Sequence, residues 1–139
     1  MTNRLIPLFA AASLFACGCT TVLKSKEFGD VKTDGGSTPV AAVEIENAVW
    51  LLLNFIPVAS GSPDHPNRNM CTLFRNTVNL PNNMKVLQAE LEHEGVTKVA
   101  NLTSHYSEED YLFFLLARRS CHTSAVLVKS DTSDKGNTK

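Results

Sequence analysis

Two short apolar runs place the tightest limit on what this chain can fold into. AVWLLLNFIPVA (Ala48 to Ala59) and YLFFLLA (Tyr111 to Ala117) carry large apolar residues at both parities of a two-residue alternation. A strand with one face in water alternates; one that does not belongs between two layers. Neither run reaches the ~20 residues that a membrane-spanning helix needs. Val49, Trp50, Phe55, Ile56 and Val58 favour extended structure, and Pro57 stands near the end of its run. Both runs are therefore predicted to be strands buried in a sheet.

The clearest helix is Asn83 to Glu94. Asn82 or Asn83 can cap it and Gly95 stands where a C′ glycine belongs, while Leu80, Met84, Leu87 and Leu91 recur at helical spacing on one face. Gly61 to Asn69 is dense in turn formers and is predicted to be a loop. CTLFRNTVNL holds a short strand, VTKVANLTSHYS a longer one, and the polar SEED at residues 107–110 a turn; RRSCH and TSAVLV form one bent strand or two paired ones. The implied fold class is α+β, a small, mostly antiparallel sheet with one helix packed on it. One helix covers one face. The other is expected to be sealed by residues 60–80, or else to present Trp50, Leu52, Phe114 and Leu116, or their opposite-parity neighbours, to a second copy, another protein or a membrane surface.

A chain of 139 residues suits a single small domain with accessory segments. Thirteen Lys and Arg balance fourteen Asp and Glu without any block of like charge, which argues against a nucleic-acid partner. No Gly-rich phosphate loop, G-x-S-x-G elbow or H-E-x-x-H stands in the sequence. His65, His93, His105 and His122 with Cys71 and Cys121 supply potential metal ligands, but none has zinc-motif spacing. Glu90, Glu92, His93 and Glu94 are read as a solvated helix face, and Arg118-Arg119 as a solvated strand end. The expectation is no catalytic residue, no metal and no cofactor.

The N-terminus explains the address. Arg4 precedes a twelve-residue apolar stretch, Leu5 to Ala16, and small residues end it at Cys17-Gly18-Cys19. This is the layout of a secretory signal, too short to span a bilayer. Its end resembles the lipobox of bacterial lipoproteins, whose cysteine is acylated before the leader is removed. For Cys19 the preceding residues lack the leucine the family prefers three places upstream; for Cys17, bulky Phe15 stands where a small residue is expected. The cysteine count separates them. Cutting before Cys19 removes Cys17 and leaves the pair Cys71 and Cys121, whereas cutting before Cys17 leaves an odd thiol in an oxidising compartment. Cys71 and Cys121 then either form a disulfide, contributing on the order of 4 kcal/mol for the loop they would close, or stay as two separately buried cysteines behaving as small hydrophobes.

The resulting organisation is a lipoprotein signal peptide at 1–18, a lipidated cysteine and tether at 19–42, the α+β domain at 43–128 and a disordered tail at 129–139. Asn101-Leu102-Thr103 matches a glycosylation sequon by form only, since the lipobox implies a bacterium. The resemblance implies a membrane-anchored protein of the cell envelope, in the outer membrane facing the periplasm in a Gram-negative host because Thr20, not Asp, follows the acylated residue. The expected function is a non-enzymatic interaction or structural module with an envelope-protein partner or a homo-oligomer; the alternative is a small ligand- or metal-binding envelope protein using its Cys and His residues. Cys19→Ala is expected to abolish acylation and membrane retention while Cys17→Ala leaves both intact, as read by mass spectrometry and membrane fractionation; acyl chains on Cys17 in the parent protein would reverse the assignment.

Overall fold

The computed structural model describes residues 20–28, 37–68 and 70–130. Within them the chain runs β1 (Thr20–Ser25), β2 (Ser37–Leu52), β3 (Ile56–Gly61), β4 (Cys71–Leu73), α1 (Leu80–Glu94), β5 (Lys98–Tyr111) and β6 (Leu116–Ser130). All pairings are antiparallel, in the order β4-β3-β2-β6-β5. The α+β class holds: one helix packs on one face of a six-stranded antiparallel sheet.

β2 organises the sheet. One edge pairs with β6 over its whole length, from Ser37 opposite Ser130 to Leu52 opposite Leu116. The other edge is shared end to end by β1, opposite Ala42 to Asn47, and β3, opposite Val49 to Leu52. Alternation along β2 then decides burial. Val43 and Ile45 point to the helix side with Val22 of β1 and Ala125 and Leu127 of β6, and meet Val86 and Leu87 of α1.

α1 begins three residues earlier than its apolar spacing implied. Asn79, in extended backbone, accepts a hydrogen bond from Asn82 N (2.8 Å) and caps the helix, Pro81 fits its first turn, and Gly95 closes it in the left-handed region at φ 66°. Asn83 is no cap. It is buried, so the sheet-facing stripe is Asn83, Val86 and Leu87, and Leu80 stays exposed.

Three further expectations are corrected. Ala48 to Ala59 is not one strand but β2, a turn and β3, because Leu53 and Asn54 take φ of 53° and 64° and fold the run back on itself as a hairpin. SEED and YLFFLLA exchange roles: SEED lies inside β5, where Glu108 faces Arg119 and Glu109 faces Arg118, and Leu112 to Leu115 form the turn into a single continuous β6. Thr20–Ser25 and the residues from Ser37 onward, expected in the tether and outside the 43–128 domain, are strands, and Lys129 and Ser130, expected in the disordered tail, end β6 opposite Thr38 and Ser37; residues 29–36, Cys17, Cys19 and residues 131–139 lie outside the described residues.

Residues 60–80 do not seal the second face. The loop after β3 runs along the outer edge of β1, where the Asn67 side chain accepts from Val22 N (2.7 Å) and donates to Val22 O (3.1 Å), as a neighbouring strand would. No described element packs over the second face, and it is largely polar. Trp50, expected to be exposed there, is only 4% accessible and packs against Tyr111 with ring centroids 5.3 Å apart.

β1 is also strapped to the helix by charge. Lys24 Nζ lies 2.6 Å from Glu90 and 2.9 Å from Glu94, and Lys26 Nζ lies 2.9 Å from Glu94. Hydrogen bonds from Lys24, then Lys26, hold the Glu94 carboxyl down at about 2, against an opposing effect of desolvation. A carboxyl depressed in the folded state stabilises above its ordinary pKa, and that contribution disappears as pH falls towards the folded value. The melting temperature of the parent is therefore expected to fall between the ordinary carboxylate range and pH about 2, with Glu94→Gln less stable at neutral pH and flatter over the acid interval; parallel slopes in thermal melts would show that the strap contributes nothing.

Candidate functional site

Three parts of the molecule carry polar chemistry or exposed apolar surface. The first lies between helix and sheet. Asn47, fully buried on β2, accepts from Thr20 Oγ1 (3.1 Å) and donates to Thr77 O (2.7 Å), which also accepts from Asn82 Nδ2 (2.7 Å). Thr77 Oγ1 donates to Gly61 O (2.7 Å), Ser60 Oγ donates to Arg75 O (2.7 Å), and Asn83 Nδ2 donates to Cys121 O (2.9 Å) with Thr123 Oγ1 at 3.1 Å. A Cβ at Gly61 would collide with Thr20 and Asn47, so only glycine lets β3 end there. Apart from Asn83 Oδ1, which is buried without a hydrogen-bond partner, these groups pair with one another and hold residues 75–79, and hence the start of α1, against the sheet.

The second part is the open face. Glu46, Arg118 and His122 meet there: the Arg118 guanidinium donates to Glu46, and His122 Nε2 lies 2.9 Å from Ser120 Oγ and 3.9 Å from Glu46 Oε1. Ser120 and Ser107 share a hydrogen bond of 2.6 Å, and His105 stacks on His122 with centroids 4.9 Å apart and planes inclined by 7°. Serine, histidine and glutamate invite comparison with a catalytic triad. The geometry is wrong for one, because serine and carboxylate approach the same nitrogen, whereas a triad needs the carboxylate on the opposite one. The cluster is a cross-strand ladder of ion pair, ring stack and hydroxyl bonds. A shallow cavity of about 460 Å³ beside it owes its depth to small side chains such as Ala42 and Ser124 and draws no convergent set of polar groups together.

The third part is a rim at one end of the sheet. The β2–β3 and β5–β6 turns lie side by side, joined by a hydrogen bond from Leu53 N to Leu115 O (2.9 Å). Phe113 is 90% exposed, Phe55 71% and Phe74, just after β4, 76%. Leu112 and Phe113 take φ of 50° and 60°, so the second turn holds bulky residues in the left-handed region too.

Of the Cys and His set, only His105 and His122 come together. His65 lies in the exposed loop, and His93 sits on the solvent side of α1 with Nδ1 3.6 Å from Glu94. No group of three or more metal-ligating side chains exists among the described residues. Glu90 and Glu94 belong to the ion pairs with β1. Arg118 and Arg119 point to opposite faces, the first to Glu46 and the second to Glu108 (2.8 Å), so they do not act as one anion-binding pair. The hydrogen bond from Arg119 holds the Glu108 carboxyl below its ordinary value.

Neither arrangement expected of Cys71 and Cys121 holds in full: both thiols are free, but only Cys121 is buried, and Cys71, on the short edge strand β4, is exposed. Two strands, β3 and β2, stand between β4 and β6. At ~4.8 Å per strand the two cysteines are about 14 Å apart, beyond the ~7 Å a disulfide allows. No family model, curated protein or solved structure matches this chain.

Sequence reasoning missed the buried amides and the rim. Asn83 looked like a cap because asparagine is common there, although Asn79 stood at a better distance before Pro81. The opposed charges flanking LFFLL, acidic before and basic after, were the available signal for a hairpin. In the folded protein a thiol reagent is expected to modify Cys71 rapidly and Cys121 only on unfolding; a chain with no titratable thiol at these positions when denatured without reductant would restore the bridge.

Proposed function

We propose that this chain is a cell-envelope lipoprotein, acylated at Cys19, that acts as a non-enzymatic interaction module. In a Gram-negative host it belongs to the outer membrane, facing the periplasm. The structural observation that best supports an interaction role is the outer edge of β5 from Thr103 to Ser107. This 14-residue strand closes one side of the sheet, and its outer backbone edge pairs with no described strand. A long exposed edge is a template for adding a strand from another chain.

The edge is guarded at its ends. A register shift between Ala100 and Thr103, with Asn101 at φ 52°, breaks it near the start, and Glu108 to Asp110 charge its far end. Between them Thr103 to Ser107 carries no acidic or basic residue apart from His105, so strand addition is directed to that stretch. Partner and anchor then occupy different parts of the domain, since β1, which follows Cys19, lies across β2 from β6 and β5.

A photocrosslinking residue placed at Ser104 in the intact cell is expected to yield one discrete crosslinked species. The same residue at Glu92, on the solvent side of α1, is expected to yield none. Equal crosslinking from both positions, or none from Ser104, would remove the edge as the contact.

A further inference from the structure

We infer that the sheet end carrying the two apolar turns, together with the β4 edge, rests on the surface of the lipid bilayer to which the chain is anchored. This rests on the acylation reading above and adds an orientation to it. Cys19 immediately precedes Thr20, which is the first residue of β1 and is itself buried, so no spacer separates the acylated residue from the sheet.

The chain emerges beside the surface in question. Thr20 O accepts from Asn67 N (2.9 Å), and Asn67 belongs to the loop that leads directly into β4. Exposed apolar side chains lie along this side and end of the sheet: Met70 before β4, Leu73 and Phe74 at its end, and Phe55 and Phe113 at the turns. Phe74 N donates to Val58 O, which keeps the end of β4 against β3 beside the first turn. From Asn47, the partner of Thr20, to Leu52 at that turn is about 17 Å along the strand at ~3.3 Å per residue. Anchor and rim are thus close enough to meet one membrane plane.

The shape of the surface selects lipid over a protein partner or a second copy. Phe55 and Phe113 stand on projecting turns. A protein would need a matching pocket for each, whereas the interfacial zone of a bilayer accepts protruding aromatic side chains as they are. Arg68 and Arg75 bracket β4 in the sequence, and neither has an ion-pair partner among the described residues; both suit lipid phosphates. Of the two acidic residues nearest the rim, Asp110 interacts with the Arg119 guanidinium and Glu109 accepts from Tyr111 Oη (2.6 Å).

The single tryptophan supplies the test. Trp50 lies two residues from the first turn and against Tyr111, so a bilayer covering the rim brings acyl chains near its ring. The full acylated chain is reconstituted in vesicles of phosphatidylethanolamine and phosphatidylglycerol, with and without bromine on the acyl chains. The expected result is a loss of Trp50 emission in the brominated vesicles. Phe74→Glu/Phe113→Glu should remain vesicle-bound through its lipid, melt at the parent temperature because both side chains are exposed, and recover its emission. An acylated, vesicle-bound parent whose Trp50 is unquenched overturns the orientation and leaves the lipoprotein reading standing. So does a parent that is dimeric in detergent and unquenched in vesicles, with the double variant monomeric, which assigns the rim to a second copy. A mature chain without acyl groups overturns both readings.

Discussion

The structure depends on a mismatch of length between its main strand and its only described helix. β2 has 16 residues and pairs with β6 throughout; at ~3.3 Å per residue it is about 50 Å long. α1 has 15 residues and, at 1.5 Å each, is about 22 Å long. The helix can therefore cover only about half of the sheet it packs on. It covers the half containing Val43, Ile45, Ala125 and Leu127. Over the other half, Val49, Leu51 and Ala117 form a separate small cluster covered by Val78 from the segment before the helix. Beyond that no described residue covers this face, and Leu52, Leu53 and Leu112 to Leu115 at the strand ends are exposed.

The place where helix cover gives way to loop is where the buried polar groups are concentrated. Asn47, Thr77 and Asn83 occupy positions that an apolar core would fill with leucine or valine. Their hydrogen bonds define which residue of the loop sits over which residue of β2, something that apolar packing specifies only loosely. Removing one partner would strand the others without water, at about 1–3 kcal/mol for each buried group left unpaired. The network also joins β1 to the loop through Thr20. For that reason Thr20–Ser25, expected in a tether, is part of the sheet.

Legibility in the sequence followed the same division. The helix was readable because its stripe and its C′ glycine are local signals, and its class of packing followed from there being one such stripe. β2 was only half readable. Its first part, STPVAAVEIE, has the small and polar residues of a strand whose second face is open, and that composition resembles a linker when neighbours are unknown. The two apolar runs misled for a definite reason. Absence of alternation signals burial on both faces only for a residue in a strand, and Leu53 to Phe55 and Leu112 to Leu115 are turns, where parity has no meaning. The open-face ladder of Glu46, His105, Arg118 and His122 joins residues more than 70 apart in places, and nothing short of the β2–β6 register could have placed it. The free cysteines follow from the same register, since it interposes two strands between them.

The turns themselves contain the last consequence. Hairpins of this geometry normally place glycine, asparagine or aspartate at positive φ. Here asparagine occupies one of the four positions and Leu53, Leu112 and Phe113 the others. A bulky residue in the left-handed region costs roughly 1–2 kcal/mol, and exposed side chains recover little of it within the domain. Asn-Gly at either turn would serve the sheet better. The hydrogen bond from Leu53 N to Leu115 O joins the two turns, so this backbone strain is concentrated at one end of the sheet.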